Sequence, residues 1–315
     1  MTKKFTTELN IFYKEHHEKC THCGKLFIEG STAHLGYLHN GKYAVLCDGC
    51  SHILRETVVR YYWMGDHFER PNPEDKLWRY MDLAKFISII CTKVLYFSAA
   101  SSFDDPFEGA KGIAERKETW DDFYLDFFRE AVLTDPGQNT SKLTSEKIES
   151  DAQRLLKDID AYGVNSRNHK YISCWYSNEY ESEAMWKIYS MNVSNAVAIQ
   201  TTAEHLYLAL NRSSYITIGK VKYIDYNKQY TPINGSFWFK RKAFEYENEV
   251  RAVITSAKNQ GNGIGIPVDI DTLIDCIYIS PYAPRWFENV VQSIVEKYSV
   301  SKPIRYSSMN ELPFY

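Results

Sequence analysis

Two pairs of cysteines near the start of the chain constrain its fold more than any other feature of the sequence. Cys20 and Cys23 form one CxxC pair, and Cys47 and Cys50 form a second pair further along. Two such pairs can place four thiolates at the corners of a tetrahedron, which is the arrangement that Zn²⁺ prefers. His22 is the substitute ligand if one cysteine lies outside the cluster. Because four protein ligands leave no open position on the metal, the sequence predicts a structural zinc site.

The segment between the two cysteine pairs has the pattern of a β-hairpin. Residues 34–45 form two strand-like segments on either side of Asn40-Gly41, a dipeptide that favours a tight turn between strands. A hairpin between two metal-binding turns predicts a small zinc ribbon module over residues 1–64. Its role would be to bind protein or nucleic acid, or to dock on another part of the chain. Redox-active cysteines are the alternative interpretation.

Composition bounds the class of protein. The 315 residues are 44% hydrophobic, which is enough to build a core, and the net charge of -3 argues against a broad phosphate-binding surface. No apolar run reaches the roughly 18 residues that cross a membrane, and residues 1–12 lack the apolar centre of a signal peptide. We therefore expect a cytoplasmic protein with no membrane partner, whose seven cysteines are metal ligands or buried thiols.

The rest of the chain is predicted to be an α+β domain that follows a linker. Residues 65–76 are polar, contain two prolines and form the predicted linker. Residues 77–315 form the predicted domain, with a helical insertion at about 110–168 that Asp135-Pro136-Gly137 divides in two. Strand patterns lie near 77–80, 94–98, 171–175, 196–201, 215–223, 249–255 and 277–279, and helix patterns near 82–91, 203–210 and 284–298.

Three glutamates alternate along the most highly charged stretch of this domain. Glu245, Glu247 and Glu249 would share one face if the chain were extended there. Such a row of carboxylates repels itself, which favours a functional role. The structural alternative is a solvated edge strand, with nearby basic side chains as partners: Lys240, Lys242 and Arg251.

Arg79 in a first strand, Ser173 in a middle strand and a Glu-x-Glu pair at the start of a late strand follow the order found in ADP-ribosyltransferases of the arginine–serine–glutamate type. The resemblance implies that NAD is the substrate. Arg79 would pair with the pyrophosphate, and Ser173, or alternatively Ser177, would bind the nicotinamide ribose. Glu249 would bind the ribose 2'-hydroxyl and stabilise the oxocarbenium-like centre. Glu247 would act as general base for the acceptor.

From Leu77 to about Ser308 the chain also resembles a widespread bacterial family defined by a domain of unknown function, itself similar to distant ADP-ribosyltransferases. The resemblance implies a split mixed β-sheet core and a toxin or anti-phage role. It also implies a macromolecular acceptor (RNA, DNA or protein) and an antitoxin or regulatory partner. The matching stretches are residues 77–80, 97–98, 103–108, 173–177, 185–189, 196–199 and 245–251.

Further residues are predicted to line the cofactor site. Asp105 lies in the Asp-Asp-Pro-Phe-Glu motif, which is either a turn that caps a helix or a loop over the cofactor. Trp186 and Tyr189 have helical spacing, which suits either the core or a stacking platform. Tyr80 and Ser98 complete the predicted cofactor contacts.

Two other functions remain open. In the first, a metal-dependent nuclease would hold Mg²⁺ with a set of carboxylates. In the second, the zinc ribbon and a catalytically inactive domain would bind a partner. Elsewhere, residues 261–265 (Gly-Asn-Gly-Ile-Gly) predict a hairpin turn, and Cys91, Cys174 and Cys276 are expected to be buried thiols. The nuclease carboxylates would be Asp104, Asp105, Glu108, Glu247 and Glu249.

Overall fold

The structure is a computed structural model that divides the chain into two compact units. One unit comprises residues 1–67 and 112–162, and the other comprises residues 68–111 and 163–315. No described helix is long and apolar enough to cross a membrane. The structure describes residues 3–4, 19–27, 32–38, 43–47, 49–50, 58–59, 68–133, 143–189, 194–211, 215–233 and 235–315.

The described part of the chain combines short strands with helices of one to six turns. The strands are β1 (Lys3–Lys4), β2 (Thr32–Leu38), β3 (Tyr43–Cys47), β4 (Val58–Val59), β5 (Lys76–Asp82), β6 (Val94–Ala99), β7 (Lys170–Ser177), β8 (Ala196–Thr202), β9 (Ile216–Lys220), β10 (Lys222–Ile224), β11 (Phe239–Arg241), β12 (Glu249–Thr255), β13 (Gly263–Pro267), β14 (Cys276–Ile279) and β15 (Ile304–Tyr306). The α-helices are α1 (Leu83–Thr92), α2 (Lys117–Leu133), α3 (Ser145–Ser166), α4 (Glu183–Tyr189), α5 (Ala203–Ala209), α6 (Ile270–Leu273) and α7 (Trp286–Lys297).

The first unit contains the predicted hairpin. β2 and β3 pair antiparallel from Tyr37 opposite Tyr43 to Ala33 opposite Cys47. β1 and β4 both pair with β2. The pairing of the two strands confirms the hairpin, whereas Asn40 and Gly41 lie outside the described residues.

Helix α2, and helix α3 up to residue 162, also belong to the first unit. Arg129, late in α2, contacts Glu149, early in α3, with Nε 2.7 Å from Oε2. Lys117, at the start of α2, contacts Asp160, late in α3, at 2.8 Å. These crossed contacts require the two helices to run antiparallel. Residues 135–137, the predicted break, lie outside the described residues.

The second unit combines helices with one large mixed sheet, which confirms the predicted mixture of helices and strands. The strands of this sheet pair antiparallel except for β14 and β15, which are parallel; a separate two-stranded sheet pairs β10 and β11 in parallel. The main path of the sheet runs in the order β13, β6, β7, β5, β8, β14 and β15. A branch leaves this path at β7, which also pairs with β12, and β12 pairs in turn with β9. Helix α1 begins at Asp82, whose Oδ1 accepts a hydrogen bond from Lys85 N at 2.8 Å. The helix buries Phe86, Ile89 and Ile90 in the main core.

Strand β7 is the point where the sheet divides. Along one edge it pairs with β12 over its length, from Lys170 opposite Thr255 to Tyr176 opposite Glu249. Its other edge is shared: β6 pairs with residues 171–172, and β5 pairs with residues 176–177. β5 and β6 therefore diverge from each other, and residues 173–175 border a gap between them.

The glycine-rich segment at residues 261–265 does not form the hairpin turn that the sequence predicts. Gly263 begins β13, which pairs with β6 rather than folding back on β12. A Cβ atom on Gly263 would lie 2.2 Å from the Tyr96 hydroxyl and 2.6 Å from the Phe97 carbonyl oxygen. The glycine is therefore required for close strand packing.

Candidate active site and metal centre

A cavity of about 840 Å³ lies at the gap beside β7. Arg79 and Tyr80 of β5 line one wall, Ser98 of β6 lines another, and Cys174 of β7 lies between them. Glu249 of β12 also lines the cavity. This volume is within the range of ligand sites, roughly 300–1,000 Å³. The gap thus brings three of the four predicted catalytic residues, Arg79, Glu247 and Glu249, to one cavity.

The side chain of Arg79 extends from β5 to β7. Its Nη1 donates a hydrogen bond to the Ser173 hydroxyl and lies 3.4 Å from the Cys174 carbonyl oxygen. Its guanidinium lies 5.5 Å from the centre of the Trp175 ring. The Ser173 hydroxyl also accepts a bond from Trp175 Nε1 at 3.2 Å. Ser173 is buried, and its hydrogen bond fixes the orientation of the Arg79 guanidinium.

Ser173 and Glu249 lie on opposite faces of the sheet. Ser173 pairs with Ala252, whereas Glu249 pairs with Tyr176. Because directly opposed residues share a face and successive residues alternate, Glu249 faces the side opposite to Ser173. Of the predicted triad, Ser173 is absent from the cavity lining. Arg79 therefore contacts Ser173 directly, whereas Arg79 and Glu249 line the same cavity.

Glu249 is a buried carboxylate between two cations. Its Oε1 accepts a hydrogen bond from Arg251 Nε at 2.8 Å, and its Oε2 lies 3.2 Å from Lys240 Nζ. Its backbone N–H donates to the Tyr223 hydroxyl at 2.8 Å. Burial opposes ionisation, but the charges of Arg251 and Lys240 outweigh it and lower the pKa of Glu249 to about 2. Glu249 thus remains anionic at neutral pH.

Arg251 anchors this carboxylate from inside the protein. It is fully buried and donates to both oxygens of Glu108, with Nη1 2.5 Å from Oε1 and Nη2 2.8 Å from Oε2. A further bond joins Nη1 to the Phe237 carbonyl oxygen at 2.5 Å. The chain after Glu108 turns at Gly109, whose φ is +75° and whose added Cβ would lie 2.5 Å from the Phe237 ring. Glu108 is therefore held in place to support Arg251.

Lys240 joins Glu249 to the second predicted carboxylate, Glu247. Its ammonium group donates to both Glu247 Oε2 and Glu249 Oε2. Burial raises the pKa of Glu247, and the negative charge of Glu249 acts in the same direction, while Lys240 opposes both. Glu247 also lines the cavity. The pKa values of the two carboxylates are therefore shifted in opposite directions although they share one cation.

The predicted row of three glutamates on an extended chain is wrong. Residues 242–247 form a 3₁₀-helix, and Asn248 adopts a left-handed conformation with φ 35° before β12 begins. This turn directs Glu247 and Glu249 towards Lys240, whereas Glu245 is exposed. The solvated edge strand is wrong as well, because β12 lies between β7 and β9 and Glu249 is buried.

Asp105 and Arg241 form an ion pair at the cavity wall. Arg241 Nη2 lies 2.7 Å from Asp105 Oδ1, and its guanidinium lies 4.7 Å from the Phe107 ring centre and 5.3 Å from that of Phe244. Asp105 Oδ1 also accepts a bond from the Phe107 N–H at 3.1 Å, as a turn residue does. Asp105 Oδ2 and Arg241 Nε are buried without a hydrogen-bond partner. Asp105 thus both closes the turn and lines the cavity.

The other predicted cofactor contacts fall into two groups. Tyr80, Ser98 and Tyr189 line the cavity. Trp186 is fully buried, packs edge-on against Tyr80 and donates from Nε1 to Glu181 Oε2 at 2.9 Å. Trp186 therefore supports the cavity wall and presents no ring face to a ligand. Trp186 thus matches the core alternative, whereas Tyr189 is 40% exposed and lines the cavity.

Arg241 and Phe244 are among the side chains of the site that were not predicted from the sequence. Both line the cavity beside the predicted glutamates. Their signal was a run of cations and aromatic residues directly before the Glu-x-Glu motif. Of the three predicted buried thiols, Cys276 is buried as expected, whereas Cys174 is half-buried at the cavity and Cys91 is exposed. Cys91 lies in the last turn of α1, on the side opposite its buried residues.

The predicted acidic residues are not arranged as a metal site. Glu108, Glu247 and Asp105 each form an ion pair with a basic side chain of the same unit. A metal site built from side chains places at least three of Asp, Glu, His or Cys close to one point. Within the described ranges, only the four cysteines are placed in this way. The structure thus favours cationic partners for these carboxylates.

The four cysteines of the first unit lie together as the sequence predicts. Their sulfur atoms all lie within 4.8 Å of one another, and Cys23 Sγ is 3.7 Å from Cys47 Sγ. A tetrahedron with zinc–sulfur bonds of about 2.3 Å has edges of about 3.8 Å between sulfurs. Gly24, at φ +73°, donates its N–H to the Cys20 carbonyl oxygen at 2.9 Å and closes the first turn. These sulfurs are close enough to hold a metal ion.

No family model matches the chain, and no curated protein matches it. The cavity and the cysteine cluster therefore carry the functional inference.

Proposed function

We propose that the second unit is an NAD-dependent ADP-ribosyltransferase that modifies a macromolecule. The observation that supports this function is the cavity at the gap beside β7, to which Arg79 and Glu249 contribute from strands on either side. A fixed cation and a fixed anion in one cavity match the two ends of the reacting half of NAD. One end is the pyrophosphate and the other is the ribose that gains positive charge.

Each side chain has a defined part in the transfer. Arg79 binds the pyrophosphate in the orientation that Ser173 imposes. Glu249, ionised and held by Arg251, stabilises positive charge on the ribose as the C1'–nitrogen bond breaks and the bonding pair leaves with nicotinamide. The acceptor then bonds to C1' and gives its proton to Glu247. The products are the ADP-ribosylated acceptor, nicotinamide and a proton.

The cysteine cluster is proposed to hold structural Zn²⁺. Four sulfur ligands at the observed spacing fill a tetrahedral coordination shell, so the ion stabilises the turns and leaves no position for a substrate. The ribbon is proposed to bind the macromolecular acceptor or a regulatory protein. Its zinc takes no part in NAD chemistry.

The decisive experiment measures nicotinamide release from NAD by the purified protein. Glu249→Gln removes the buried charge while keeping the shape of the side chain, and it should lower release at least a hundredfold. Glu245→Gln is the matched control because that side chain is exposed, 4.0 Å from Lys242 Nζ. Circular dichroism checks that both variants fold.

Release by Glu249→Gln at the rate of the unmodified protein would exclude the proposed role of Glu249. Absence of NAD binding by calorimetry, together with tight capture of a protein partner, would favour a non-catalytic binding protein. Cleavage of nucleic acid that stops in EDTA would instead favour a nuclease.

A further inference from the structure

Lys240 occupies an unusual place in the cavity because one ammonium group serves two carboxylates. Its Nζ contacts Glu247 Oε2 and Glu249 Oε2 and lies 4.8 Å from the centre of the Phe244 ring. The side chain is 9% exposed and lines the cavity. A lysine so placed is fixed in position by contacts on three sides.

We propose that Lys240 is a positioning residue that holds Glu247 and Glu249 at a fixed separation and keeps Glu247 ionised, so that Glu247 can accept the proton of the acceptor. This proposal rests on the proposed transfer reaction and adds the residue that keeps its general base ready.

The geometry distinguishes the two carboxylates by the cations they contact. Glu249 forms ion pairs with both Arg251 and Lys240, whereas Glu247 forms its ion pair with Lys240. A carboxylate with two buried cations stays ionised, and one that shares a single cation accepts a proton more readily. Arg251 therefore makes the difference between the two carboxylates, and Lys240 supplies the ion pair that favours the ionised form of Glu247.

Several charged or titratable groups face Glu247 from neighbouring elements. Burial raises its pKa, and Lys240 is the largest influence that lowers it. Glu249 acts to raise the pKa and Arg251 to lower it. Burial, with a smaller contribution from the charge of Glu247, raises the pKa of two tyrosines that remain neutral, Tyr189 on α4 and Tyr223 on β10.

The test is the titration of the Glu247 carboxyl carbon, followed by nuclear magnetic resonance in protein labelled at glutamate. The signal is identified by its loss in Glu247→Gln. In Lys240→Met the midpoint should rise by about 1 to 3 pH units, because an opposite charge within hydrogen-bond distance has been removed. The acid limb of nicotinamide release should move upwards by the same amount.

Two variants serve as controls. Lys242→Met makes the same change at an exposed lysine two residues away, whose Nζ lies 4.0 Å from Glu245 Oε2, and it should leave the midpoint unchanged. Lys240→Arg keeps the positive charge, so its Glu247 midpoint should lie close to that of the unmodified protein. An unchanged Glu247 midpoint in Lys240→Met would overturn the proposal.

The outcomes separate the role of Lys240 from the transferase activity. A shifted midpoint without nicotinamide release by the unmodified protein would leave the placement of Lys240 intact and refute the transferase. Loss of release in Glu249→Gln with no midpoint shift in Lys240→Met would refute the role of Lys240 alone. If Lys240→Met does not fold, the Lys240 ammonium nitrogen of the unmodified protein must change its chemical shift at the Glu247 midpoint. A constant shift there would overturn the proposal.

Discussion

Arg251 and Glu108 form a buried bidentate ion pair between residues 143 positions apart in the chain. We expect Glu108→Gln to lower the free energy of unfolding by about 3–5 kcal/mol, because it leaves the Arg251 charge buried without its main partner. Urea denaturation measures the change. Glu179→Gln breaks an exposed pair with Lys76 and should cost under about 1 kcal/mol. Equal losses in both variants would contradict the structural role of the buried pair.

Ser173 and Ser177 are separated by their contacts. Ser173→Ala removes the hydroxyl that orients Arg79 and should weaken NAD binding roughly 10- to 100-fold, the usual effect of losing a hydrogen bond to a charged group. Neither serine lines the cavity, but it is the Ser173 hydroxyl that accepts the hydrogen bond from Arg79, so Ser177→Ala should leave affinity unchanged. Calorimetric titration with NAD measures both. A larger effect for Ser177→Ala would return the serine role to that residue.

The cysteine cluster should contain one zinc ion per chain. Cys23→Ser removes one of four ligands and should reduce the zinc content measured by mass spectrometry of the purified protein. Cys91→Ser is the control, since Cys91 is an exposed thiol outside the cluster. Full zinc content in Cys23→Ser would place the ion elsewhere. Chelation of the intact chain should leave nicotinamide release unchanged.

Glu249 should stabilise the fold in a defined range of pH. Its pKa falls from 4.5 to about 2 on folding, so its contribution is complete above about pH 4.5 and is lost as the pH falls towards 2. The difference corresponds to about 3 kcal/mol. Urea denaturation across this range should show a smaller pH dependence for Glu249→Gln than for the unmodified protein. Glu245→Gln should retain the full dependence.

Most of the secondary structure could be predicted because each element carries a local signal. Asp82 begins α1 by capping its first turn, and the alternation in residues 249–255 predicts β12. The segment at 242–248 could not be predicted, because the alternation of its glutamates depends on an extended backbone. The backbone there is instead a 3₁₀-helix over residues 242–247, which ends at the left-handed Asn248.

The site could be predicted only in part, since contact depends on strand register. Composition and order pointed to Arg79 and Glu249, and both line the cavity. The register of β7 against β12 places Ser173 on the other face of the sheet, a relation that no single strand pattern contains. Arg241 was missed for the same reason, because its partner Asp105 lies 136 residues away.

The sharing of one edge of β7 between β5 and β6 also has a kinetic consequence. The contact of Arg79 with Ser173 spans 94 residues, and that of Glu108 with Arg251 spans 143. Contacts between distant residues form slowly, because long loops must close first. During synthesis, the cavity cannot assemble until the chain has been extended through β12. A nascent chain that stops before residue 251 would therefore lack the site, and the onset of NAD binding should report the completion of folding.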